Sequence, residues 1–175
     1  MHKLWVVGAA LLMAGCADSV ADRAPAGPTA SARIVDAAQR QVGTATFVQT
    51  RKGVRVVVMA QQLPPGKHGL HIHAAGTCQG PDFASAGDHF NPTGKKHGML
   101  NPEGIHAGDL PNLVVGANGE GRMEYTSGQF TLWPGAWSLL RPGGTSIVIH
   151  ADPDDETTDP AGGSGARIGC GVIPS

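Results

Sequence analysis

The chain of 175 residues carries a formal net charge of −1 and is 41% hydrophobic but only 15% charged, which fits one ordinary globular domain. Its 26 glycines and 13 prolines argue against a long-helix protein or a coiled coil, because these two residues are the poorest helix formers. The near-neutral charge offers no general attraction for nucleic acid, which is not expected as a partner.

In chain order, Met1 to Cys16 reads as an export signal. Lys3 gives it a basic start, and the apolar run from Leu4 to Met13 is too short to span a bilayer. Ala14 and Gly15 precede Cys16, a pattern that resembles the bacterial lipobox, in which the cysteine is acylated and becomes the first mature residue. Met13 stands where Leu is usual. Residues 1–15 are therefore assigned to a signal peptide. Residues 16–32 are assigned to a lipidated N-terminus and a flexible tether, because Ala, Ser and Pro dominate there without an apolar period. Three cysteines are an odd count for an exported chain, and lipid on Cys16 leaves an even number.

From residue 33 onward the pattern is β. Ala45 and Phe47, then Val54, Val56 and Val58, alternate with polar residues around a Lys52-Gly53 turn. The run Leu63-Pro64-Pro65-Gly66 stops that hairpin, and Gly69 to His73 is a short strand. Asn112 to Val115 and Arg122 to Thr126 flank an Asn118-Gly119 turn signal. Gln129 to Trp133 and Ala136 to Leu140 read as strands broken by Pro134-Gly135. Thr145 to His150 and Arg167 to Ile173 complete the set. Seven or eight short strands predict an all-β antiparallel sandwich or barrel. Residues 74–111 and 151–166 lack strand character, and structureless loops of this length are usually functional.

Six of the eight histidines lie between His68 and His106. His71 and His73 fall on one face of a strand, because strand side chains alternate. His89, His97 and His106 with Asp109 supply three imidazoles and a carboxylate, which suits tetrahedral zinc with no position left open. His150 ends an apolar strand. Each of these signals is weak alone, since an isolated histidine is more often solvated or a hydrogen-bonded core residue.

Taken together, six blocks occur in order: Gly69-Leu70-His71-Ile72-His73, Gly87-Asp88-His89-Phe90-Asn91-Pro92, Lys96-His97-Gly98, His106-Ala107-Gly108-Asp109-Leu110, Ile147-Val148-Ile149-His150 and Gly169-Cys170-Gly171-Val172-Ile173. This series resembles copper/zinc superoxide dismutase over residues 33–175. The resemblance implies a Greek-key barrel or sandwich of about eight strands with two long functional loops, and copper and zinc as cofactors. It implies copper ligands His71, His73, His89 and His150, and zinc ligands His89, His97, His106 and Asp109, with His89 shared. It further implies a Cys78–Cys170 disulfide, Arg167 above the copper as a guide for superoxide, Asp154 as the support of one ligand of each metal, and a structural role for His68. His89 is expected both to bind metal and to carry a proton.

Residues 151–166 hold five acids and no base, so the chain departs from a strongly positive approach to the site, with Lys95 and Lys96 the nearest bases in sequence. The expected function is dismutation of superoxide in an extracytoplasmic compartment, with the chain held to a membrane by N-terminal lipid. The alternative is an extracytoplasmic copper/zinc binding or storage module without significant turnover. Trp133, Trp137, Leu139 and Leu140 fit either a core or an interface, which leaves a homodimer open.

Overall fold

The computed structural model describes residues 27–175, so the export signal and Cys16 lie outside the described residues. Eight strands follow one another: β1 (Thr29–Val35), β2 (Gln41–Thr50), β3 (Gly53–Ala60), β4 (Gly66–His73), β5 (Asp109–Val115), β6 (Gly121–Ser127), β7 (Thr145–His150) and β8 (Arg167–Ile173). They close into an antiparallel barrel in the order β1-β2-β3-β6-β5-β4-β7-β8. The jumps from β3 to β4 and from β6 to β7 are the Greek-key crossings, and closure leaves no unpaired sheet edge.

Alternation decides which side chains enter the barrel. Val54, Val56 and Val58 are fully buried on β3, and the register sets Val56 opposite Phe47 and Val58 opposite Ala45. Burial of each large apolar side chain contributes roughly 1.5–3 kcal/mol. Arg55 points outward between them and its Nε donates to Glu124 Oε1 at 2.6 Å on the neighbouring β6.

β4 and β7 are buried on both faces. Leu70, Ile72, Ile147 and Ile149 join the barrel core. On the other face, Val148 packs with Phe83, Ala86 and Cys170 beneath the long β4–β5 connection. That connection is tied to β8 by the Cys78–Cys170 disulfide, with Cα atoms 5.6 Å apart and a sequence separation of 92. The outer face of β4 and β7 is thus roofed by loops, and this dry layer is where the histidines lie.

Two expectations from the sequence are corrected. Gln129–Trp133 and Ala136–Leu140 are not strands; a single bridge joins Thr131 to Ser138. Phe130 and Leu132 are buried two residues apart, which mimics strand alternation, but the Pro134-Gly135 turn folds the segment back on itself and the Gln49 side chain accepts the Leu132 N–H at 2.8 Å. The segment 16–32 is not tether throughout, because β1 begins at Thr29 and pairs in register with Val48 of β2. Its inward residues there are alanines, too small to mark an apolar period.

Candidate metal centre

His71 and His73 leave β4 on its outer face, and His150 leaves the end of β7 toward them. A one-residue bridge between His73 and His89 brings the loop histidine into the same layer. All four rings are buried, with the His71 and His89 ring centroids 4.0 Å apart and those of His71 and His150 4.9 Å apart.

Each of these rings has one nitrogen engaged and one free. His71 Nε2–H donates to Asp154 Oδ2 at 2.8 Å, His73 Nδ1–H to Gly87 O at 2.8 Å and His150 Nδ1–H to Gly165 O at 3.1 Å. His89 Nδ1 lies 3.0 Å from Asp109 Oδ1. The remaining atoms, His71 Nδ1, His73 Nε2, His89 Nε2 and His150 Nε2, are buried without a hydrogen-bond partner. Orphaned buried polar atoms are costly, and here the four rings form one group whose donor atoms lie within 4.8 Å of one another. Four imidazole lone pairs converging in a dry layer fit a transition-metal ion.

A second donor set lies against the first. Asp109 Oδ1 is 3.0 Å from His89 Nδ1, 3.1 Å from His97 Nδ1 and 3.4 Å from His106 Nδ1, and His106 Nδ1 is 3.3 Å from His89 Nδ1. A tetrahedral zinc ion with ligand bonds of about 2.0 Å needs ligand-to-ligand edges of about 3.3 Å, which these spacings match. A grouping with His71 in place of His106 also brings its donor atoms within 4.8 Å of one another. His106 is the better member, because His71 has one nitrogen on Asp154 and its other in the orphaned set. His89 therefore faces one donor set with Nε2 and the other with Nδ1.

Electrostatics follow from burial. Desolvation pushes His71 down to about 3, His73 to about 2 and His150 to about 4, and it lowers His89 as well. These imidazoles are neutral near pH 7, as ligands must be. Burial works against a charge on His97 too, but the Asp109 and Asp154 carboxylates outweigh it and raise that ring to about 9. Burial opposes ionisation of Asp109, yet its histidine neighbours hold the carboxyl well below the usual range. Asp154 is likewise held low by His71 and His97 against the cost of burial.

Asp154 links the two sets. Its Oδ1 also accepts from His97 Nε2–H at 3.0 Å, so one carboxylate orients a ring of each group. Its main chain is clamped by Asn112, whose Nδ2 donates to Asp154 O at 2.9 Å and whose Oδ1 accepts the Asp154 N–H at 2.8 Å. Asp159 Oδ1 accepts the His97 N–H at 2.7 Å. Gly162, at φ 62°, leaves room for that carboxylate, since a Cβ there would sit 1.7 Å from Asp154 Oδ1. Asn112, Asp159 and Gly162 escaped the sequence reading: Asn112 and Asp159 act on residues far away in the chain, and Gly162 acts through the space its missing side chain leaves for Asp154. His68 bridges His150 O and Pro64 O, each at 2.8 Å, and offers nothing to either donor set.

Arg167 completes the mouth. Its Nη1 and Nη2 donate to Phe83 O and Gly87 O, each at 2.8 Å. A cleft of about 590 Å³ opens there, reaching His73, His89, His150 and Arg167. Lys95 and Lys96 border it together with Asp88 and Asp159, and Lys96 Nζ pairs with Asp159 Oδ2 at 3.3 Å. The approach is thus of mixed sign, and Arg167 lines it together with His73 and His150.

An antiparallel barrel that holds two donor sets sharing one imidazole is, by its architecture, a binuclear metal protein. The family model for copper/zinc superoxide dismutase matches residues 41–173. The chain is 46% identical to superoxide dismutase [Cu-Zn] 2 of Aquifex aeolicus over 146 residues, covering 82% of this chain and 85% of that one. A SOD-like protein from Bacillus subtilis superposes with a TM-score of 0.79 at 39% identity, over 82% of this chain and 97% of that one. The Cu/Zn superoxide dismutase from Brucella abortus gives 0.67 at 28% identity, over 83% and 99%. The chain belongs to the copper/zinc superoxide dismutase family. Copper and zinc are its metals and dismutation of superoxide is its activity.

Proposed function

We propose that His71, His73, His89 and His150 hold copper, that His89, His97, His106 and Asp109 hold zinc, and that the protein disproportionates superoxide outside the cytoplasm while anchored through acylated Cys16. The observation that carries the assignment is the set of four buried imidazole nitrogens left without hydrogen-bond partners on four converging rings. When bound, copper supplies a one-electron redox couple and zinc a fixed, redox-inert positive charge.

The chain's own residues do the rest. Two superoxide anions and two protons give dioxygen and hydrogen peroxide. Arg167, always charged and fixed by two carbonyls, attracts the anion and orients it in the cleft. His89 Nε2 would both hold copper and, on the cleft side of the ring, carry one of the two protons that hydrogen peroxide requires. Asp154 fixes the tautomers of His71 and His97, so that each presents its Nδ1 lone pair. A storage protein has no need of a guanidinium at the mouth of its metal site, which favours turnover over simple binding.

The Cys78–Cys170 disulfide suits an oxidising compartment, and the Met1–Cys16 leader supports export. Metal analysis of the mature protein, paired with a superoxide assay, tests the reading. One copper and one zinc per chain with rapid dismutation are expected. His150→Ala is expected to lose copper and activity while keeping zinc. Fully copper-loaded protein without dismutation above background would falsify the proposal.

A further inference from the structure

The β6–β7 connection ends in a tip with no role in the metal centre. Trp133, Pro134, Gly135, Ala136 and Trp137 are five consecutive exposed residues without a charge, and the two indoles are 50% and 42% exposed. The tip is rigid. Trp137 O accepts the Thr131 N–H at 2.9 Å, Gln49 Oε1 accepts from Thr131 Oγ1 and the Leu132 N–H, and Leu132 and Leu139 are sunk in the barrel core. Holding two tryptophans in water in this way costs hydrophobic free energy unless something covers them.

The place where the described chain begins says what does. Gly27 packs directly on the Trp133 indole: a Cβ on Gly27 would sit 2.5 Å from Trp133 Cζ2. Pro28 O accepts the Gln49 N–H beside it. The N-terminal segment therefore leaves the barrel at the tryptophan tip. Ten residues lie between Cys16 and Gly27, a reach of at most roughly 40 Å even when fully extended. The neighbouring segments 27–29, 49–53 and 127–141 contain Arg51, Lys52 and Arg141 and no Asp or Glu. An uncharged indole pair beside segments that carry no acid matches the chemistry of a bilayer interface.

We propose that the Trp133–Trp137 tip is a membrane-contact surface, seated in the headgroup region of the bilayer that holds the anchor. The proposal rests on acylation of Cys16. It adds to that anchor a second attachment that fixes how the barrel stands on the membrane, since one tether alone leaves the domain free to turn.

Trp5 leaves with the signal in this reading, so Trp133 and Trp137 are the only tryptophans of the mature chain and selectively excited tryptophan emission reads this tip alone. Protein purified from membranes is reconstituted into phosphatidylethanolamine/phosphatidylglycerol vesicles, with or without acyl chains brominated near the headgroup. Bromine quenches on contact, and the expected result is at least a twofold loss of emission with a blue shift. Trp133→Ser and Trp137→Ser each leave one reporter; both reporters are expected to be quenched, with dismutase activity unchanged. Mass spectrometry of the same preparation reads Cys16. An unmodified Cys16 overturns the anchor and this contact together. An acylated Cys16 with unquenched indoles overturns the contact alone. Unquenched indoles together with a doubling of mass on concentration in detergent assign the tip to a second copy of the chain, which also overturns it.

Discussion

His150 and Arg167 are register partners across the β7–β8 ladder, just past an irregularity at Ile149. The backbone pairing that sets a metal-binding imidazole therefore also sets the guanidinium at the mouth of the cleft. Arg167→Ala removes the anion guide without touching a donor atom. The expected result is a loss of roughly 10- to 100-fold in kcat/KM with both metals retained. An unchanged rate at full copper content would sink the guiding role.

Asp154 bonds one ring of each donor set, His71 through Oδ2 and His97 through Oδ1, and belongs to neither set itself. In Asp154→Asn the amide nitrogen cannot accept from an imidazole N–H, so at least one ring loses its tautomer lock. Metal affinity is expected to fall on the order of 10- to 100-fold, measured by competition with chelators of known strength. Equal affinities in variant and parent would show that the rings are oriented by packing alone.

The disulfide closes a loop of 92 residues between the β4–β5 connection and β8. In the chain-entropy picture such a link contributes roughly 4–5 kcal/mol by restricting the unfolded chain. Replacing both Cys78 and Cys170 by Ser is expected to lower the urea midpoint of metal-loaded protein by a matching amount. Activity at constant copper should fall as well, because Phe83 O and Gly87 O, which hold Arg167, lie on the segment released.

Acid is expected to destabilise the metal-free protein. His71, His73 and His150 titrate near 3, 2 and 4 when folded, well below the value of about 6.5 in the unfolded chain. Below that value the unfolded state binds protons that the native state refuses. Their contribution is fully present above about pH 6.5 and is lost as pH falls toward 4 and beyond. His97 works the other way: raised to about 9, it stabilises the fold below about pH 6.5 and loses that effect as pH rises through 9. Urea midpoints of chelator-treated protein should therefore peak near neutrality and drop between pH 6.5 and 4. Bound metal should move the acid limb to lower pH, since protons must then displace ions. A flat midpoint over this range would mean that the rings are not held neutral by burial.

Much of this was legible in the order of the residues. The alternation of Val54, Val56 and Val58 fixed a strand face, because side chains on a strand repeat every two residues. His71 and His73 were placed on one side for the same reason, and the spacing of His89, His97, His106 and Asp109 supplied a zinc-like donor set. The chemical inventory of the centre is a property of sequence, since imidazoles and carboxylates are the same wherever the fold puts them.

Tertiary structure alone decided how that inventory is used. That His71 turns Nδ1 inward while His73, His89 and His150 turn Nε2 depends on which nitrogen meets Asp154, a carbonyl or the second donor set. Asn112 found its role only when the barrel brought β5 under a loop 42 residues further on. The Gln129–Trp133 segment looked like a strand because Phe130 and Leu132 are buried two residues apart, and long-range hydrogen bonds to Gln49 rather than a ladder satisfy its polar atoms. Periodicity reports which residues are buried. Which partner satisfies each polar atom depends on contacts between distant parts of the chain, and those exist only once the barrel has closed.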